Sequence, residues 1–418
     1  METFARPSVG AGAKTLPAAW YISPGVFAQE EERIFRSQWL CVGREESLPR
    51  AGDFFTVERA GESLIVTRDA GGTVHAFYNV CRHRGTRLCG EASGRFTGSI
   101  QCPYHAWTYA LNGELKVARN MAEVPGFDRR AYPLKEAAVA LWEGFIFVSL
   151  ILRQAQDDTR QAQEDRQAQD DTGSPNSLAP ARSAVLGDAE LVEAESKGQD
   201  DNGSFERVFA PLIGRFSRWD LAKLQTARRI TYELACNWKL VFLNYSECYH
   251  CPLVHPQLDK LSPSDSGHND LSEGAFLGGY SELREHGTSL ATSGRRSREP
   301  LGSVGGVHLD RVYYYTLFPS LLLSLHPDYA MVHYCKPLAA DRTEVTCAWL
   351  FAPSAIAKPD FDPADVVEFW DLTNRQDWHV NELTQQGLNS RAYSPGPYSN
   401  AEGLLSAFDR HYLSIMGS

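Results

Sequence analysis

Five potential metal ligands fall within nine positions of this 418-residue chain: Glu247, Cys248, His250, Cys251 and His255, in the stretch ECYHCPLVH. Two chemistries compete for them. Cys248 and Cys251 have the C-x-x-C spacing of a zinc site or a redox-active dithiol. The glutamate and the two histidines suit a harder metal, such as an iron with open positions. A second group lies earlier, with Cys81-x-His83 followed after eighteen residues by Cys102-x-x-His105.

Two cysteines and two histidines satisfy a structural zinc. Here, however, each half contributes one residue of each type, and Gly85, Gly90 and Pro103 provide for tight turns around them. A Rieske [2Fe–2S] centre needs this division, with two thiolates on one iron and two imidazoles on the other. The cluster reading is therefore favoured over zinc. Cys89 is left over and reads as a small packed hydrophobe.

The elements that must position these groups divide the chain. Residues 50–150 read as short strands, among them DFFTVE, ESLIVTR, TVHAFYNV and SIQCPYHAWTYA, with the Asn-Gly of LNGEL marking a hairpin. Helical patterning is expected at 34–39, 238–251 and 363–387, the last with Pro363 at its first position. Antiparallel strands are expected over 311–351, from RVYYYTL to EVTCAWLF. Pro252 interrupts the 238–251 helix and lets His255 swing back towards His250.

The formal charge is −11, and −7 of it falls in residues 153–203, which hold 12 acidic and 5 basic residues and open on repeats of RQAQDDT. None of the chain's 46 aromatics lies between 151 and 204. Such a stretch buries too little apolar area to offset its chain entropy, so a disordered linker or insertion is expected. There is no basic stripe for nucleic acid. The most apolar run, ALWEGFIFVSLIL, is too short to span a bilayer and contains Glu143. The absence of an apolar leader and an odd count of nine cysteines point to a reducing cytoplasm.

C-x-H-R-G followed by C-x-x-H-x-W resembles the Rieske domain of the ring-hydroxylating oxygenase α subunits, the Rieske non-haem iron oxygenases. WLCVGREESLP, GESLIVTRD, NVCRHRGTRLC and SLHPDYAMVH are similar to the glycine-betaine, choline and carnitine branch. The resemblance implies an α+β chain with an N-terminal arm and helix (1–45), an all-β Rieske domain (46–152), the acidic linker (153–203) and a helix-grip catalytic domain (204–418). It implies a [2Fe–2S] cluster on Cys81, His83, Cys102 and His105. It also implies a mononuclear Fe(II) on His250, His255 and Asp377, the last favoured over Asp371 and beside His379. Asn244 and Glu247 would be catalytic, with Glu247 bridging electrons between the subunits of a homotrimer. Leu243 stands where relatives often carry an acid.

The implied partners are O2, a small-molecule substrate and a flavin/iron–sulfur reductase or ferredoxin drawing on NAD(P)H, with neither nucleic acid nor membrane. Oxidation or N-demethylation of a methylammonium compound is expected. Tyr313, Tyr314, Tyr315, Trp349 and Phe351 are candidates for an aromatic cage, or else core residues. Aromatic-ring dihydroxylation is the alternative. A plain electron-transfer Rieske protein would lack the complete His250, His255 and Asp377 set. Cys248 and Cys251 are expected to be packing groups.

Overall fold

The computed structural model describes residues 9–10, 12–151 and 204–417; the expected linker at 153–203 lies outside the described residues. Two seven-stranded antiparallel sheets and a small three-stranded one form the body. In space, the first sheet runs Leu40–Arg44, Phe145–Ser149, Glu136–Trp142, Val74–Tyr78, Glu62–Arg68, Asp53–Arg59 and Ser93–Arg95. Leu40–Arg44 pairs with Phe145–Ser149, so this sheet begins ahead of the boundary expected at residue 46. The small sheet, Ser99–Gln101, Thr108–Ala110 and Leu115–Val117, contains the LNGEL turn, where Gly113 takes a positive φ of 86°.

The second large sheet runs Gln225–Leu234, Arg342–Phe351, Ala330–Ala339, Leu321–Leu325, Arg311–Leu317, Phe276–Glu282 and His268–Leu271. Its middle strand, LLLSL, is buried at every residue, which explains an apolar run without alternation. Next to it, RVYYYTL alternates: Tyr313, Tyr315 and Leu317 enter one core cluster, while Tyr314 and Thr316 face the opposite side. Trp349 and Phe351 lie fully buried in the other core cluster. Of the five aromatics read as either cage or core, then, Tyr314 lines the cavity described below and the other four are core residues.

Two helical expectations need correction, and the third holds to within one residue at each end. The helix expected at 34–39 lies earlier: Pro24–Glu30 runs into a single π turn at Glu31–Phe35, and residues 36–39 are not helical. The long helix runs Ala364–Leu388, with Pro363 as its cap and the Asp362 carboxylate accepting the Ala364 N–H at 2.9 Å. The helix expected over 238–251 spans only Trp238–Tyr245. It stops because local side chains take over its backbone partners. Ser246 donates to the Phe242 carbonyl at 2.6 Å, and the Glu247 carboxylate captures the N–H groups of Tyr249 and His250.

One core cluster extends from Leu40, Val66 and Ile146 of the first sheet to Trp238, Met331, Trp349, Trp370 and Phe408 of the second unit. The N-terminal arm belongs to it as well. Glu30, fully buried, meets the Lys239 ammonium, the Trp238 indole N–H at 3.0 Å and the Tyr412 hydroxyl at 2.6 Å. Among the described residues no helix is long and apolar enough to cross a membrane.

Candidate active site and metal centres

Two loops of matching construction carry the first set of ligands. In one, the Cys81 N–H donates to the Thr86 carbonyl at 2.8 Å and the Gly85 N–H returns to the Cys81 carbonyl at 3.0 Å. In the other, the Cys102 N–H donates to Trp107 at 2.8 Å and the Ala106 N–H to Cys102 at 3.1 Å. Each turn needs a left-handed residue, Gly85 (φ 74°) and Ala106 (φ 56°). Gly85 was legible as a turn residue; Ala106 was not, because alanine rarely takes that conformation. The His83 and His105 rings lie 4.7 Å apart, and His83 stacks on Trp107 at 4.8 Å.

The cradle fits a cluster. Cys81 and Cys102 are buried, and the buried His83 Nδ1 has no hydrogen-bond partner. Burial pushes the Cys81 thiol up, opposed by a hydrogen bond from Tyr109. The Tyr109 hydroxyl lies 3.3 Å from Cys81 Sγ and accepts the Arg82 N–H at 3.1 Å. Sequence reasoning had no signal for Tyr109, which is simply a strand aromatic at that stage. Cys89 is buried outside the ligand set, as expected.

The second set converges from two helices that are tied together directly. The Asn237 side chain caps Trp238–Tyr245, and its backbone N–H donates to Gln385 of the long helix at 2.9 Å. From this frame His250, His255 and Asp377 bring one ligand atom each to within 4.8 Å of one another. Asp377 Oδ1 is 2.8 Å from His255 Nε2 and 3.3 Å from His250 Nε2. The outer nitrogens are also held: His250 Nδ1 by Glu247 at 2.6 Å, and His255 Nδ1 by Gln376 at 2.7 Å.

With each Nδ1 facing a side-chain acceptor, both Nε2 atoms point inward beside a carboxylate, the donor set of a facial iron site once a metal replaces the proton. The electrostatics agree. Burial would lower His250, but the Asp377 and Glu247 carboxylates raise it to about 10. Burial would raise Asp377, but its two histidine partners hold it below the usual carboxylate range. Such a site is stabilised by positive charge at its centre.

Because the helix ends at Tyr245 and not at 251, Glu247 reaches the His250 imidazole from the turn that follows it. Asp371 is turned away, accepting from Tyr232 at 2.7 Å and Arg375 at 2.9 Å, and His379 is exposed. Leu243 is a core residue. Cys248 and Cys251 are not separate packing groups: they form a disulfide, with Cα atoms 4.9 Å apart, across a turn in which the Cys251 N–H donates to the Cys248 carbonyl at 3.2 Å. Gln376 had no signal in the sequence.

A cavity of about 410 Å³ opens onto these ligands. Asn244 lines it, together with Tyr314 and four aromatics that sequence reasoning had not singled out: Tyr245, Tyr249, Tyr280 and Trp370.

Comparison with known proteins follows the same division. The Rieske [2Fe-2S] domain profile matches residues 38–128, and that of the ring hydroxylating alpha subunit (catalytic domain) matches 221–418. The chain is 31% identical to the glycine betaine monooxygenase oxygenase subunit of Chromohalobacter salexigens, covering 93% of this chain and 82% of the relative. It is 28% identical to the carnitine monooxygenase oxygenase subunit of Escherichia coli (91% and 86%). It is 26% identical to the chloroplastic choline monooxygenase of Arabidopsis thaliana (93% and 80%). In fold it is similar to the quaternary ammonium Rieske monooxygenase CntA, with a TM-score of 0.73 at 23% identity over 97% and 96% of the chains. It is also similar to naphthalene 1,2-dioxygenase from Rhodococcus sp., with a TM-score of 0.69 at 19% identity over 96% and 94%.

Proposed function

The chain belongs to the Rieske non-haem iron oxygenases, and from that premise we propose that it is the oxygenase component of a monooxygenase acting on a methylated ammonium compound. Cys81, His83, Cys102 and His105 hold the [2Fe–2S] cluster in this reading, and His250, His255 and Asp377 hold the mononuclear iron. When bound, the cluster would supply one-electron transfer and the iron an open site at which O2 is activated for insertion into an organic substrate. The observation that carries the reading is the convergence of two imidazole Nε2 atoms and one carboxylate at the base of an aromatic-lined cavity.

The chain's own residues do the rest. Glu247 and Gln376 fix the tautomers of the two histidines. Tyr245, Tyr314 and Trp370 line the cavity and are the residues that could stack on a cationic head group. Ring dihydroxylation is the less supported reading, since the naphthalene dioxygenase likeness extends to the fold alone.

The electrons would come from a reductase that oxidises NAD(P)H, directly or through a ferredoxin. Glu247 would bridge the cluster histidine of a neighbouring subunit in a homotrimer to the iron-binding His250, whose Nδ1 it already holds at 2.6 Å. Two apolar surface features support that docking: Tyr249 and Leu253 beside Glu247, 67% and 89% exposed, and Tyr104 beside His105, 58% exposed. A solved CntA structure is itself described in terms of inter-subunit electron transfer.

Metal analysis tests the reading. The anaerobically purified protein is expected to hold about three irons per chain and to absorb as a Rieske centre. His250→Ala or Asp377→Ala should lose one iron and keep the cluster spectrum. Loss of the cluster instead would overturn the assignment of the two sites.

A further inference from the structure

All nine cysteines are described, and one pair is bonded, Cys248 to Cys251; the other seven are free and buried. The bond closes the segment 248–251 around His250, an iron ligand in the reading above. Cys251 Sγ lies 4.0 Å from His250 Nε2, the nitrogen that faces Asp377. Both cysteines line the cavity, so a small reductant that enters it meets the bond. Where thiols are kept reduced, a disulfide is chiefly transient or redox-sensing, and an accessible one is the more labile.

The two redox states offer a metal different ligands. A disulfide sulfur carries no charge and is a poor donor. It leaves His250, His255 and Asp377 as three ligands with positions open beside them. A thiolate is soft and selects zinc. On one tetrahedral zinc, bonds of about 2.3 Å to sulfur and about 2.0 Å to nitrogen put those two atoms about 3.5 Å apart. The observed 4.0 Å is close to that spacing, and the Cys251 side chain is free to turn once its cross-link is cut. With Cys251 added, the centre has the four ligands of a closed zinc site and keeps no open position.

We propose that Cys248 and Cys251 form a redox-governed metal selector: the disulfide reserves the centre for iron, and the dithiol turns it into a zinc site of Cys251, His250, His255 and Asp377. The inference rests on the iron-site reading above and extends it to a second metal. The reductant is a dithiol. It gives two electrons and two protons to the sulfur–sulfur bond, which breaks into two thiols, and it closes to its own disulfide. Cys248 is half-buried and Cys251 buried, so the attack falls on Cys248 and releases Cys251. Zinc then displaces the Cys251 proton to solvent.

Zinc X-ray absorption on the full-length, cluster-loaded protein tests it, because the cluster holds no zinc. One sample keeps its disulfide. The other is reduced anaerobically with a dithiol that is then removed, and both are equilibrated with equal Fe(II) and Zn(II). In the oxidised protein, any bound zinc is expected to show nitrogen and oxygen neighbours only. After reduction it should show one sulfur at about 2.3 Å, and the zinc-to-iron ratio at the site should rise at least about tenfold. Cys248→Ser frees Cys251 and should behave as the reduced protein without reductant. Cys251→Ser should behave as the oxidised protein even after reduction, and the cluster absorbance shows that each variant is folded. A sulfur-free zinc spectrum or an unchanged metal ratio after reduction overturns the proposal, as does sulfur that persists in Cys251→Ser; each leaves the iron-site reading standing. Oxidised protein that binds neither metal beyond its cluster overturns both.

Discussion

The two histidines of the iron site are supported differently from outside. His250 Nδ1 faces the Glu247 carboxylate, and His255 Nδ1 faces the Gln376 amide oxygen. His255 is 2% exposed, so Gln376→Leu strands a buried N–H at a cost of about 1–3 kcal/mol and should weaken iron binding roughly 10–100-fold. Glu247→Gln keeps an acceptor oxygen for His250 and should retain near-full iron, while slowing reoxidation of the reduced cluster when substrate and O2 are present. Iron retention against a chelator and stopped-flow absorbance separate the pair. Unchanged retention in Gln376→Leu dismisses that residue's role, and wild-type reoxidation in Glu247→Gln dismisses the bridge. The histidines were legible because residue type and spacing announce ligands. Gln376 was not, since its role exists only once the long helix lies against residue 255.

At the scale of elements, the Trp238–Tyr245 helix is fixed at its start so that the turn after its end can present ligands. The buried Lys239 ammonium pairs with Glu30 and lies 4.9 Å from the centre of the Tyr412 ring. Lys239→Met leaves a carboxylate buried without its cation, which costs about 3–5 kcal/mol. Glu30→Gln added to Lys239→Met removes that charge while keeping an acceptor for Trp238 and Tyr412, so it should restore most of the lost stability. Denaturant midpoints of the single and double variants measure this, and a double variant no more stable than the single contradicts it. The strands were readable from their composition, as LLLSL and EVTCAWLF illustrate. Which tyrosine of the YYY run meets the cavity was not, because alternation gives two faces and only the register against Phe276–Glu282 assigns them. The early end of the helix was equally hidden, since it depends on where the Ser246 and Glu247 side chains turn.

Across the whole molecule, one apolar core joins the cluster sheet to the iron-site sheet. The holoprotein is therefore expected to unfold in a single calorimetric transition, with the cluster absorbance and tryptophan fluorescence lost together. Two resolved transitions would mean that the units are energetically independent. The two-part architecture was legible from the two ligand constellations and the change in strand and helix patterning between them. The shared core was not, because it joins residues as far apart in sequence as Leu40 or Val66 and Phe408.

The chain also returns to its own beginning. Lys14 bridges Pro397, the Thr15 N–H donates to Gly396 at 2.9 Å, and the Arg33 guanidinium donates to the Met416 carbonyl. The cluster unit is thus spliced into a closed loop rather than appended to one end. Grafting it from a relative takes two cuts, one ahead of Leu40 and one beyond Leu150. A single-junction chimera that exchanged everything before the catalytic unit would carry off the carboxylate of Glu30, and with it the anchor of the recipient's own iron site.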